Sequence, residues 1–345
     1  MRGPIAESCH HGSIAVVDAR GRLVRSVGDP DRVIYLRSAA KPAQATAVLA
    51  TGAADAFAFT DVEIAVMCAS HHGQKRHTDA VASILAKIGL DHSALLCGLH
   101  PPADARTARR LAAAGKQPTV LHNNCSGKHA GMLAACRHLG LDVAHYVEPD
   151  HPWQQRLLST MASLSGVPRD DIGVGRDGCS VVTFAMPLRH AAVVFSRLAR
   201  PDSLPDELGE AATRAREAMG AHPEMMSAPR TFNTELLRAY APRLVAKGGA
   251  EGVFGIGFAD DGLGIAVKIH DGNARAIPPI CVAVLRQLDR LGHEHEQALA
   301  AFVEPPLRNH RKEVVGSIRP AFDLLPARGR RADRATGQRS MPRAL

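Results

Sequence analysis

Apolar positions alternate with small or polar ones along Gly12-Ser13-Ile14-Ala15-Val16-Val17-Asp18, and Ala19-Arg20-Gly21-Arg22 separates them from Leu23-Val24. A short period-two run closed by a glycine turn predicts a β-hairpin. Residues 41–52 are rich in alanine, and Pro42 suits a first helical turn, so a helix is expected to begin near Ser38. Residues 61–69 read as a helix or buried segment. Residues 78–88 form a clearer helix, with Asp79 early, Lys87 late and Gly89 as its stop. Helical patterns recur at 127–138, 152–164 and 207–219. Strand patterns return at 252–258 and 264–269, separated by Asp260-Asp261-Gly262. Strands near both termini with helices between them predict an α/β fold, a sheet built from both termini and flanked by a helical lobe. Residues 1–325 are expected to form this one unit, and 326–345 a basic, disordered tail.

The chain has 345 residues, of which 46% are apolar and 22% charged, as in ordinary globular proteins. No apolar run reaches the roughly 20 residues needed to span a bilayer. The first twenty residues carry Glu7, His10, His11 and Asp18 and lack the apolar stretch of an export signal. With seven cysteines, an odd number, the expectation is a cytoplasmic protein with free thiols. The formal charge of +8 is concentrated at the end. Arg328, Arg330, Arg331, Arg334, Arg339 and Arg343 face one acid, Asp333, in the last twenty residues. The body is therefore nearly balanced, with no basic patch interleaved with aromatics, and nucleic acid is not an expected partner.

Of the 42 basic residues only eight are lysine. Lysine, unlike arginine, can be driven neutral by burial and by neighbouring cations. Four lysines, Lys41, Lys128, Lys247 and Lys268, lie among small or apolar residues.

Three of these belong to segments dense in reactive groups. In Ser38-Ala39-Ala40-Lys41 the serine and lysine share one face of a helix start, where an amine can take the hydroxyl proton. The plain alternative is an N-cap serine followed by a solvated lysine. Ala69-Ser70-His71-His72-Gly73-Gln74 is either a site loop or a capping turn. His122-Asn123-Asn124-Cys125-Ser126-Gly127-Lys128-His129-Ala130-Gly131 packs polar side chains against an apolar helix. It lacks the spacing of a phosphate-binding loop. Val174-Gly175-Arg176-Asp177-Gly178-Cys179-Ser180 carries an acid and a thiol, and spacing alone predicts no metal at Cys125 or Cys179. In Val245-Ala246-Lys247-Gly248-Gly249-Ala250-Glu251-Gly252 a lysine sits in a glycine-rich run before a buried-type strand. This resembles the Lys-Thr-Gly element of penicillin-recognising enzymes.

These segments, in this order, resemble the Rhizobium etli type of L-asparaginase, the thermolabile class. The resemblance runs from about Glu7 to Pro320 and includes Pro306-Leu307-Arg308-Asn309-His310 and Gly316-Ser317-Ile318-Arg319-Pro320. Ala39, Gln74 and Ser180 depart from that pattern, where serine, glutamate and glycine are usual. The resemblance implies a fold like serine β-lactamases and penicillin-binding proteins, a homodimer, and hydrolysis of L-asparagine to L-aspartate and ammonia. It implies two Ser-Lys pairs, Ser38 with Lys41 and Ser70 with Lys247, and a zinc ion held by Cys125, Lys128 and Cys179. Ser38 is expected to be the nucleophile with Lys41 as its base. Arg37 is expected to hold the substrate carboxylate and Asp177 its ammonium or a zinc-bound water. His129 is expected to orient a zinc ligand or contact substrate. A penicillin-binding or β-lactamase-like acyltransferase and a non-enzymatic zinc-binding protein are the rival readings. Nitrocefin hydrolysis would favour the first and a complete lack of amide turnover the second.

Overall fold

The structure, a computed structural model, describes residues 1–327. Eleven strands occur among them: β1 (Gly12–Val17), β2 (Leu23–Val27), β3 (Val33–Tyr35), β4 (Gly173–Arg176), β5 (Val182–Pro187), β6 (Leu244–Gly249), β7 (Val253–Phe258), β8 (Gly264–Ile269), β9 (Pro306–Arg308), β10 (Val314–Ser317) and β11 (Leu325–Pro326). The main sheet has the order β11-β2-β1-β8-β7-β6, so the N-terminal hairpin joins three late strands. All its neighbours run antiparallel. The expected α/β architecture, a sheet from both termini with a helical lobe, is what the chain forms. Pairing continues to Pro326 and Ala327, whose N–H donates to Val24. The rest of the expected tail lies outside the described residues.

One face of the sheet is stripped of bulk. Ala15, Ala266, Gly255 and Lys247 form one cross-strand row, and Gly264 and Gly257 stand in the next one on the same side. The helix Leu188–Ala199 lies directly on these residues. A Cβ at Gly257 would come within 1.9 Å of the Phe195 carbonyl oxygen, and one at Gly264 within 2.1 Å of that of Ala192. Close approach needs glycine here because any side chain would lift the helix off the sheet.

The helical lobe forms the other side of the site. Lys41–Leu49 is buried along its whole length, which explains why its alanine-rich pattern shows no polar stripe. It packs among the helices Asp61–Cys68, Ser126–Leu139, Pro152–Ser165 and Asp206–Ala221. A capping box between Thr60 and Glu63 starts the helix Asp61–Cys68. Its end meets Gly127, where a Cβ would lie 2.2 Å from the Val66 carbonyl oxygen. The two polar segments that follow these helices are thereby brought side by side. A small sheet, β3-β5-β4, leads into Arg37 at one edge and Asp177 at the other.

Two readings of the sequence change. Lys247 does precede the expected strand, β7, but it already lies within a strand of its own, β6, opposite Gly255. Gly248-Gly249 reads as a turn, yet the turn falls at Glu251 and Gly252, both with positive φ. Gly249 is needed for close approach instead, since a Cβ there would sit 2.5 Å from the Leu36 carbonyl oxygen. Second, residues 182–199, to which the pattern assigns no element, form β5 and, after Pro187, the helix Leu188–Ala199.

Candidate active site

Lys41 opens the buried helix and Ser70 ends the segment after Asp61–Cys68, so their side chains meet inside the lobe. Lys41 Nζ donates to the Ala69 carbonyl at 2.7 Å, the Asn124 carbonyl at 3.0 Å and Ser70 Oγ at 3.1 Å. Three acceptors match the three N–H bonds of an ammonium. Lys247 arrives from β6, with Nζ 2.8 Å from Ser70 Oγ and 2.6 Å from the Gly248 carbonyl oxygen. Both lysines are buried, at 0% and 2% exposure. Burial first, and then repulsion from Lys41, holds the Lys247 amine well below its ordinary 10.5. Ser70 is thus held between two amines of different character.

Ser38 sits in the short 3-10 turn Arg37–Ala40 directly before that helix, half-buried. Its carbonyl accepts the Lys41 backbone N–H. Among the described residues no hydrogen bond joins Ser38 Oγ to Lys41 Nζ. The structure therefore links Lys41, Ser70 and Lys247 in one chain, with Ser38 beside it.

Arg37 takes a positive φ of 51°, an uncommon conformation for a residue with a side chain. Its Nε donates to Asp177 Oδ1 at 2.7 Å, and the Gly178 N–H donates to the same oxygen at 2.8 Å. Burial opposes ionisation of Asp177, but Lys128 and Arg37 outweigh it and hold the carboxyl below its usual range.

Cys125, Lys128 and Cys179 converge next to this pair. Lys128 Nζ donates to Cys179 Sγ at 2.9 Å, and Cys125 Sγ donates to Asn124 Oδ1 at 3.2 Å. The neighbouring Cys179, with Lys41 and Lys128, holds the Cys125 thiol well below its ordinary range, while Cys125 and burial push Cys179 up. Burial disfavours the Lys128 ammonium, yet the sulfurs raise its pKa. Two sulfurs and an amine form a donor set of the kind that zinc accepts, provided the amine loses its proton. Among the described residues no group of three His, Cys, Asp or Glu side chains is placed to hold a metal. An ion here would have Lys128 as the third side-chain donor beside the two sulfurs. The donor set fits zinc in its chemistry.

His129 is fully buried. Its Nδ1 lies 2.6 Å from the Tyr146 hydroxyl, and its Nε2 has no partner. Burial keeps it neutral, with Lys128 and Lys41 adding to the effect.

A residue not singled out from sequence ties the parts together. His71 Nδ1 accepts the Gly73 N–H at 3.1 Å, which leaves Nε2–H to donate to Ser126 Oγ at 2.9 Å. Ser126 Oγ donates to the Leu121 carbonyl at 2.9 Å. His71 also stacks on His77, with ring centroids 5.1 Å apart. The Ser70 loop is thereby clamped to the first turn of the Lys128 helix. Two adjacent histidines after a serine were the only hint of this clamp. Gln74, one of the departures noted above, does not face Ser70: it donates to Asp104 at 3.3 Å.

The sheet with its close-packed helix and the helical lobe together place one serine within hydrogen-bond reach of two buried lysines. The profile of the L-asparaginase II family matches residues 1–320, and the chain belongs to that family. No curated protein matches the chain. Solved structures similar to it include a beta-lactamase from Mycobacterium bovis, at 15% identity and a TM-score of 0.41, covering 80% of this chain and 94% of that one. Another is Mglu in its tris and glutamate form, at 15% identity and a TM-score of 0.43, covering 84% of this chain. The chain spans less than two thirds of that protein, 62%. Simvastatin synthase from Aspergillus terreus is a third, at 15% identity and a TM-score of 0.35, covering 84% of this chain and 92% of that one. Superpositions this loose carry no weight for the site. No helix among the described residues is long and apolar enough to cross a membrane.

Proposed function

We propose that the chain hydrolyses the side-chain amide of L-asparagine to L-aspartate and ammonia. Family membership supports an amidohydrolase, and one observation carries the chemistry: Ser70 Oγ lies between Lys41 and Lys247, whose pKa burial and Lys41 hold well below its ordinary value. The Lys247 amine takes the Ser70 proton as the serine oxygen attacks the amide carbon. The Lys41 ammonium stays beside the developing negative charge. Breakdown of the tetrahedral adduct breaks the C–N bond, and Lys247 returns the proton to the leaving nitrogen as ammonia. Water then cleaves the ester, with its proton passing to Lys247 and on to Ser70. Arg37 and Asp177, bonded to each other in the free protein, exchange that contact for the carboxylate and ammonium of the amino acid.

A second assignment keeps Ser38 as the nucleophile, with the Lys41-Ser70-Lys247 chain as its proton relay. The position of Ser38 immediately after Arg37 favours it, since an amino acid held by Arg37 lies close to that residue. Cys125, Lys128 and Cys179 would hold zinc, which supplies Lewis-acid polarisation and a fixed positive charge when bound. Ammonia release by the purified protein from asparagine, compared with glutamine and with nitrocefin hydrolysis, tests the reading. Nitrocefin turnover without ammonia release from asparagine would transfer the site to the acyltransferase class.

A further inference from the structure

A cleft of about 1060 Å³ opens between the N-terminal segment, the start of the helix Ile277–Gln287 and the strands β9 and β10. It is larger than the roughly 300–1,000 Å³ typical of small-molecule sites. Strand register places it away from the serine-lysine chain. Lys247, Gly255, Ala266 and Ala15 share one row on the face that carries the helix Leu188–Ala199. Val27, Ile14 and Val267 form a row one residue out of phase and so point to the opposite face. That row, with Ile269 and Ile280, makes an apolar floor.

The rim is cationic. Arg2, Arg275, Arg308, Lys312 and Arg319 line it against one carboxylate, Glu7. Arg2 is paired with Glu7 at 2.9 Å and Arg319 with Glu304 at 2.5 Å. Among the described residues Arg275, Arg308 and Lys312 form no ion pair. Arg275 is nevertheless held in place, by Nε to His10 Nε2 at 2.8 Å and by Nη2 to Ser8 Oγ at 3.0 Å. The hydroxyl and the imidazole orient the guanidinium, and His10 bonds Asp271 at 2.6 Å, so that carboxylate reaches Arg275 only through the ring. An oriented, unpaired guanidinium beside an apolar floor is the arrangement that recognises a carboxylate on a hydrocarbon body.

We propose that this cleft binds a medium-chain organic carboxylate, its chain on the floor and its carboxylate on Arg275. The proposal does not depend on the amidohydrolase reading, because binding is read without substrate. Titration calorimetry of the full chain with octanoate should give saturable binding at one site per chain. Octylammonium should give none, and 1-octanol should bind at least about tenfold more weakly, the loss expected for one charge-assisted contact. Arg275→Ala should weaken octanoate about tenfold or more, with the circular dichroism spectrum and ammonia release unchanged. Ile280→Asp, which puts a carboxylate on the floor, should abolish binding in a chain that keeps its spectrum. Absence of saturable octanoate heat, equal affinity for octanoate and octanol, or an Arg275→Ala variant that binds normally would each overturn the proposal. So would sedimentation showing that two copies bury this face and exclude octanoate.

Discussion

Lys41 and Lys247 share a single oxygen: their Nζ atoms lie 3.1 and 2.8 Å from Ser70 Oγ. They reach it from opposite layers, Lys41 from the buried helix and Lys247 from the edge strand of the sheet. Two ammonium groups this close are costly in a buried site, so the pair is expected to carry one charge and titrate as a unit. Of the two, Lys247 is the one whose pKa is held down, by burial and then by Lys41.

The two serines are separable by substitution. Ser70→Ala should lower turnover about a thousandfold or more, the scale of losing a nucleophile or its relay. Ser38→Ala should spare most turnover if Ser70 attacks, and should abolish it if Ser38 does. Mass spectrometry of acyl-enzyme trapped from asparagine at short times locates the ester on one serine or the other.

Lys247 makes a pH prediction for stability as well as for rate. Its folded pKa lies well below the ordinary 10.5, so between those two values the unfolded chain binds a proton that the folded chain lacks. Stability from this group therefore rises with pH across that window and is lost as pH falls through the folded pKa. Turnover should rise over the same limb. Lys247→Met should flatten the rise in urea midpoint between pH 7 and 9.5, and Lys247→Arg should be inactive at both. An unchanged slope in the methionine variant would mean that Lys247 is an ordinary ammonium.

Buried histidines set the acid limit. His71 and His129 are held well below 6.5 by burial, with neighbouring cations and imidazoles adding to it, and His77 is pushed down to about 4, again chiefly by burial. Below pH 6.5 the unfolded chain gains protons that the folded one refuses, so stability falls with pH, by up to about 1.4 kcal/mol per unit for each histidine. His71→Ala should cost about 2 kcal/mol or more by leaving the Gly73 N–H and Ser126 Oγ without that partner. It should also reduce kcat, because the Ser70 loop loses its clamp. Denaturation midpoints at pH 4.5, 5.5 and 6.5 check both statements.

The sulfur cluster should hold about one zinc per chain as isolated, measured by elemental analysis. Cys125→Ala and Lys128→Met should each lose it. In a zinc-free chain Cys125 should alkylate faster than Cys179, because its surroundings lower its thiol pKa while those of Cys179 raise it. Equal labelling of the two thiols would contradict that asymmetry.

Gly257→Ala should destabilise by about 3 kcal/mol or more, as expected for severe overpacking, since its Cβ would need the space of the Phe195 carbonyl. Thermal melts of the variant test this. A normal melting temperature would mean that the helix Leu188–Ala199 can lift from the sheet without penalty.

Helix and strand positions were readable where periodicity or punctuation was local, as in the hairpin at β1 and β2 and the helix stops at Gly89, Gly140 and Gly166. The placement of Lys247 was not, because Gly248-Gly249 signals a turn while its actual role is to let Leu36 approach. The polar segments at Ser70 and Cys125 could be picked out by composition. Their mutual contacts could not, since Lys41 and Asn124 or His71 and Ser126 meet only through packing of the lobe. The Lys41-Ser70-Lys247 chain likewise crosses the sheet-lobe boundary, which no window of sequence spans.

The antiparallel match of Ile14 with Val267 also sets a timetable for synthesis. At about 5–20 residues per second, the first strand waits roughly 12–50 s for its partner to be made. For that interval Ile14, Val16 and Val17 form an apolar edge with only β2 beside it. Cells making this chain must shield that edge, and slowing translation after residue 27 would be expected to increase aggregation even though the finished protein is unchanged.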